Sequence, residues 1–222
     1  MPDQKQNRVM IGIPCMDTLK VETVMSLFAS ANSIDAATTL HIYKTSLVHD
    51  ARNKIAERAI EEKYDYLMFI DSDMKFEPKA IQKLIDQDKD IIGGLYYQKR
   101  PPHLPTLSEK KGKLLRYPRV WSKSKPFQIF GVGTGFMLIK VSVLEKLKAP
   151  YFYYGKLHEQ MMGEDIYFCW KAQQAGFEVW CDPTVDIGHV GEYVYTKADY
   201  DAYQENRPEE DVDELWDGGM QL

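Results

Sequence analysis

The 222-residue chain is poor in cysteine: Cys15, Cys169 and Cys181 are odd in number, far apart and contain no Cys-x-x-Cys pair. A disulfide framework and a structural zinc site are therefore excluded as the basis of the fold, and a reducing, cytoplasmic setting is expected. No stretch approaches the ~20 apolar residues of a membrane span, so no integral membrane segment is expected. The opening Met1–Asn7 is polar and lacks the apolar centre of a signal peptide. No internal repeat is visible. A phosphate cradle is missing too, because Ile13-Pro14-Cys15-Met16-Asp17-Thr18, after the first apolar run, offers no glycine and no Lys or Arg. The glycines of Gly131-Val132-Gly133-Thr134-Gly135 precede a strand, whereas dinucleotide loops follow one. They point instead to close backbone approach.

What the chain does have is segregated charge. Its net charge is −5, yet Lys99 to Lys125 holds nine Lys or Arg residues against Glu109. From Glu192 onward ten acids face only Lys197 and Arg207. Such segregation reads as solvated loops and an acidic tail, with the basic stretch available to an anionic partner. The stretch from 98 to 126 also carries five prolines and little periodicity, as a long loop or loose hairpin would. Tyr96, Tyr97, Tyr117 and Trp121 accompany it and offer rings for stacking on bases or sugar faces.

The chain is long enough for one domain that buries on the order of 70% of its unfolded surface. Arg8–Ile13 reads as a buried strand stopped by Pro14, and Thr39–Lys44 as another. Between them a helix over about 18–31 would bury Val21, Val24, Met25 and Phe28 on one face. Asp50 would cap a helix over 51–62 with Ile55, Ala56, Ala59 and Ile60 inward. Tyr66–Ile70 is a third strand, so the alternation predicts a parallel α/β sheet with helices on both faces. A helix from Pro78, a strand at 90–94, a strand after Gly135, a helix at 141–147, a helix from Ile166 to Gly176 and a strand at 178–181 continue the pattern. In such sheets ligands bind at the carboxyl ends of strands, where Pro14-Cys15-Met16 and Asp71-Ser72-Asp73 both fall.

Asp71 and Asp73 at i and i+2 point the same way if the strand continues, and two acids on one face want a hard divalent cation, Mg2+ or Mn2+. The alternative is an Asp-Ser-Asp turn whose side chains cap backbone N–H groups. Gly163-Glu164-Asp165 opens a helix, where acids cap the first turn. His189, flanked by Gly188 and Gly191 at close range, is an accessible ligand candidate or a hydrogen-bonded structural residue.

In this order, the first strand into Pro14, His49-Asp50-Ala51-Arg52-Asn53, the run into Asp71-Ser72-Asp73, Gly133-Thr134-Gly135-Phe136, Gly163-Glu164-Asp165 and His189 resemble glycosyltransferases of the GT-A fold, particularly the small inverting bacterial and phage sugar transferases. The resemblance spans most of residues 8–191. It implies a Rossmann-like GT-A domain over 1–191, with a nucleotide-sugar half at 8–97, an acceptor half at 127–191 and the basic loop 98–126 between them. An acidic extension, 192–222, would follow. It implies a nucleoside diphosphate sugar as donor, such as a UDP-sugar, bound near Pro14, Cys15, Met16, Arg52, Asn53, Asp71 and Ser72. Asp73 and His189 would hold the metal, with Asp71 reaching ribose or the metal through water. Asp165 would be the general base, with Glu164 orienting it or contacting the acceptor. The basic loop 99–125 would meet the acceptor, a glycan or a hydroxymethylated DNA base. No QxxRW motif follows, so processive polysaccharide synthases are outside the resemblance. A nucleotidyltransferase and an inactive sugar-nucleotide or glycan-binding module are the competing readings.

Overall fold

The structure, a computed structural model, describes residues 6–191 and 194–205. The first half alternates as β1 (Arg8–Cys15), α1 (Val21–Ser30), β2 (Ala37–Lys44), α2 (Val48–Glu61), β3 (Tyr66–Ile70), β4 (Met74–Phe76), α3 (Ala80–Asp86) and β5 (Ile91–Gly94). The chain continues as β6 (Leu107–Lys111), β7 (Leu114–Arg116), β8 (Phe127–Gln128), β9 (Gly131–Val132), β10 (Phe136–Lys140) and α4 (Val141–Lys146). It closes with β11 (Gly155–Leu157), β12 (Gln160–Met162), α5 (Glu164–Gln174), β13 (Val179–Asp182), β14 (Ile187–Val190), β15 (Val194–Tyr195) and α6 (Lys197–Glu205).

The central sheet has the order β2-β1-β3-β10-β5-β13-β8. It is a mixed sheet, mainly parallel: β10 runs antiparallel to both β3 and β5, β8 is antiparallel to β13, and the remaining strands share one direction. The single-domain α/β expectation holds; the strand expected after Gly135 is β10, and its antiparallel direction is what a simple strand-helix alternation does not predict. Side chains alternate between two cores. Met10, Leu67, Phe69, Met137 and Val179 meet α2, α4 and α5 on one face. Val9, Ile11, Met68, Ile92 and Leu138 meet α3 and Leu27 of α1 on the other. Each fully buried Leu, Ile or Phe contributes about 1.5–3 kcal/mol, so both faces are needed to hold the sheet.

Two local expectations are corrected. Helix α1 is turned over: Val21, Met25 and Phe28 are 73%, 62% and 75% exposed, while Thr23, Ser26 and Ser30 are buried. The cause is polar. The segment below α1 presents backbone groups, and the Thr23 hydroxyl donates to the Ser72 carbonyl while the Phe76 N–H donates to Ser26 Oγ. Buried backbone groups without partners cost more than one apolar face left in water, so the hydroxyl face docks. Helix α2 starts at Val48, with Leu47 at the cap position and no side-chain cap, which leaves Asp50 in the first turn.

The basic stretch contains a hairpin, β6–β7, turning at Gly112 with φ +64°, a backbone region that suits glycine. Its aromatics are not free platforms. Tyr96 and Tyr97 are buried, Tyr117 accepts from Gln98 Nε2, and Trp121 packs near Tyr200. Packing also continues past residue 191, because β15 pairs with β14 and Tyr200 of α6 stacks on Tyr97 at 4.7 Å. The rest of the expected acidic extension, 192–193 and 206–222, lies outside the described residues.

Candidate functional site

Strand β3 ends at Ile70, and the chain turns through Asp71-Ser72-Asp73 into β4. Because the strand stops first, the two carboxylates diverge instead of sharing a face. Asp71 turns toward α2, where Arg52 Nη2 donates to its Oδ1 at 2.9 Å. Asp73 turns toward β14, whose His189 is the register partner of Met74. The Val190 N–H donates to the Asp73 carbonyl at 2.7 Å, so backbone pairing sets His189 beside Asp73. The Ser72 carbonyl accepts the Lys20 N–H and anchors the start of α1.

Arg52 is the centre of the first cluster. Its guanidinium also binds Glu164 at the start of α5, and its side chain is only 5% exposed. Burial disfavours its charge, but Asp71, Glu164 and Asp165 outweigh that and raise its pKa. Among the described residues, Arg52 Nε has no hydrogen-bond partner. Asn53, expected beside the nucleotide, acts elsewhere. Its amide donates to the His49 and Phe152 carbonyls and accepts the Tyr151 and Phe152 N–H groups. It fixes Phe152, which stacks on Phe168 of α5 at 4.7 Å, and so seats the helix bearing Glu164 and Asp165. Tyr154 completes this corner beside Glu164, and burial together with that carboxylate's charge raises the Tyr154 pKa.

Asp165 is half-buried in the first turn of α5, where its Oδ1 accepts the Ile166 N–H. Burial, reinforced by the neighbouring Glu164 charge and opposed by Arg52, pushes its carboxyl up to about 6. A carboxylate with that affinity for protons at neutral pH is suited to general-base work.

The second cluster is Asp73, His189 and Lys99. His189 Nδ1 lies 3.0 Å from the Tyr97 carbonyl, and a carbonyl only accepts, so Nδ1 carries the proton. In the neutral ring Nε2 is then a bare acceptor, and it faces Asp73 Oδ1 at 3.5 Å. Two acceptors face to face call for a cation or a proton between them. Lys99 binds the other carboxylate oxygen, Oδ2. Burial works against the Asp73 charge, but the neighbouring His189 and Lys99 more than offset it and lower the pKa.

Tyr96 joins the clusters. Its ring meets His189 edge-on at 5.4 Å, and its hydroxyl accepts the Gly135 N–H at 2.9 Å. Burial and the charges of Asp71 and Asp165 raise its pKa well above the ordinary value. Cβ atoms at Gly133 or Gly135 would overlap that hydroxyl, which explains the glycines without any phosphate loop. The Asp71 N–H donates to the Gly135 carbonyl, closing the network.

Pro14 and Cys15 are the last residues of β1, paired with Tyr43 and Lys44 of β2, and the exposed Met16 follows at the carboxyl edge. Lys99, Tyr96 and Tyr154 are the residues that motif reasoning did not find. For Lys99 the available signal was its position as the first cation after β5.

Among the described residues, no group of three or more His, Cys, Asp or Glu side chains is arranged to hold a metal ion. Asp73 and His189 nevertheless fit a two-ligand site for Mg2+ or Mn2+, whose remaining positions are commonly taken by water and substrate phosphates. The described residues contain no helix long and apolar enough to cross a membrane.

No protein-family model matches the chain. An uncharacterised protein of Methanocaldococcus jannaschii is 29% identical over 116 residues, 46% of this chain and 51% of that one. The chain thus spans about half the length of this curated relative. Protein A197 from STIV superposes with a TM-score of 0.63 at 23% identity, covering 85% of this chain and 93% of that one, and shares the fold. Staphylococcus aureus TarS aligns over 80% of this chain and 35% of its own at 14% identity, with a TM-score of 0.45 that carries no argument.

Proposed function

We propose that this protein is an inverting glycosyltransferase that moves a sugar from a nucleoside diphosphate sugar, with UDP-sugars the first donors to test, to an acceptor hydroxyl. The observation that carries the reading is the convergence of a carboxylate poised near pH 6, Asp165, with an Asp73–His189 pair whose facing acceptors ask for a cation. Asp165 takes the proton of the acceptor hydroxyl as its oxygen bonds to the anomeric carbon. The bond from that carbon to the diphosphate oxygen breaks, and its electron pair leaves on the nucleoside diphosphate. General-base help of this kind is worth about 10²- to 10⁴-fold. Glu164, held by Arg52, keeps the first turn of α5 in place. Asp73 and His189 would hold Mn2+ or Mg2+, which when bound neutralises charge on the diphosphate.

For the acceptor, the β6–β7 tip carries exposed Lys110, Lys111 and Lys113 and suits an anionic glycan. The burial of Tyr96 and Tyr97 removes the stacking surface that a flipped DNA base would need there. The test is a thermal-shift panel of sugar nucleotides with and without Mn2+, since a ligand of the native state raises apparent stability. A metal-dependent shift with one donor, followed by transfer to a glycan, supports the reading. No shift with any sugar nucleotide overturns it, and transfer to hydroxymethylated DNA replaces the glycan.

A further inference from the structure

We propose that Lys99 is the cation that receives the donor's diphosphate, and that in the free protein it is held on Asp73 as a stand-in for the divalent ion. The inference rests on the glycosyltransferase reading and assigns a residue that no motif marks.

The segment after β5 dresses the Asp73 corner residue by residue. Tyr96 packs on His189, the Tyr97 carbonyl fixes its tautomer, and Lys99 binds Asp73 Oδ2. The loop that presents Lys99 is tied at both ends. Gln98 N–H donates to the Leu104 carbonyl at 2.9 Å, and Thr106 N–H to the Tyr96 carbonyl at 3.0 Å. Lys99 is therefore a flexible side chain on a fixed base, and it is 32% exposed.

A departing nucleoside diphosphate carries more negative charge than one divalent ion neutralises, so a second cation at the crevice is chemically required for full compensation. Arg52 does not meet that need, because it is buried and already faces Asp71, Glu164 and Asp165. Lys99 is solvent-reaching and bound through a single carboxylate oxygen. Once Asp73 is engaged by a divalent ion, its attraction for Lys99 falls, and the ammonium is released beside the phosphates that complete the site. Lysine suits this transfer between partners better than arginine, since it binds as a mobile point charge and not through a planar fork.

Two opposite effects follow from one substitution. In Lys99→Met, Mn2+ alone should bind several-fold more tightly, because its competitor on Asp73 is gone. The Mn2+ complexes of UDP, GDP, CDP and ADP should bind at least about tenfold more weakly, since a phosphate-bound cation is lost. Lys99→Arg should keep diphosphate affinity within a few-fold of wild type. Both are read by titration calorimetry and by the free Mn2+ resonance signal, with melting curves confirming folded variants.

If wild type binds a nucleoside diphosphate and Lys99→Met binds it equally well, the Lys99 assignment falls alone. A parallel loss of Mn2+ and diphosphate affinity also overturns it, because Lys99 would then only prop Asp73. If wild type binds none of the four diphosphates, the glycosyltransferase reading falls and takes the assignment with it.

Discussion

The two charge clusters of the candidate site are built in opposite ways. Around Arg52, one buried guanidinium faces Asp71, Glu164 and Asp165, and its bonds run between α2, the β3 end and α5. Around Asp73, one carboxylate faces two cationic or cation-seeking groups, Lys99 and His189, on side chains that reach solvent. The first cluster is closed and ties secondary-structure elements together. The second is open, and its partners are exchangeable. Position in the fold, and not residue type, separates scaffold from working parts here.

Substitutions can break this contrast. The largest effect is expected for Arg52→Met, which leaves half-buried carboxylates without their buried counter-charge and should cost about 3 kcal/mol of stability in denaturant unfolding. Asp73→Ala should leave stability far less affected while abolishing Mn2+-dependent binding of a sugar nucleotide. Equal destabilisation by both would erase the distinction between the clusters.

Asp165→Asn should lower transfer by about 10²- to 10⁴-fold and keep nucleotide binding, as measured by kinetics and calorimetry. Stability should move the other way. An acid whose folded pKa lies above its unfolded value contributes stability below the unfolded pKa, and that contribution is lost as pH rises through the folded value, about 6. At pH 7 the wild type has lost it, so the amide variant should melt higher, by up to about 3 kcal/mol. The wild-type transfer rate should correspondingly fall as pH drops below about 6.

Asn53→Ala sharpens the comparison from the scaffold side. It removes four hydrogen bonds, three of which seat the 151–152 segment against α5, and a loss of about 1–3 kcal/mol is expected. Smallest is Phe28→Ser on the outward face of α1, which should change stability by no more than about 0.5 kcal/mol.

Strands β1, β3 and β5 and the inward stripe of α2 were legible because burial on a sheet or helix face leaves a periodic apolar signal. Helix α1 carries the same signal, but its hydroxyls at Thr23 and Ser26 answer backbone groups at 72–76 that are distant in sequence, so its face is inverted. The paired roles of Asp71 and Asp73 were half legible. Spacing marked them as a unit, whereas the end of β3 at Ile70 sends them to different clusters. The roles of Lys99 and Asn53 lay beyond sequence reading, because each takes its meaning from partners 26 and 98–99 residues away.

Strand β10 has a consequence for the order in which the molecule can come into being. It lies between β3 and β5, so the two strands synthesised before it have no common border until residues 136–140 arrive. A growing chain therefore carries the sheet fragment β2-β1-β3 with a raw edge and β5 as a lone strand, and the later strand is the keystone that joins them. His189 and Asp165 come later still, so no shortened version ending before β14 can hold a complete crevice. Contacts of such long sequence separation make folding slow relative to helical bundles.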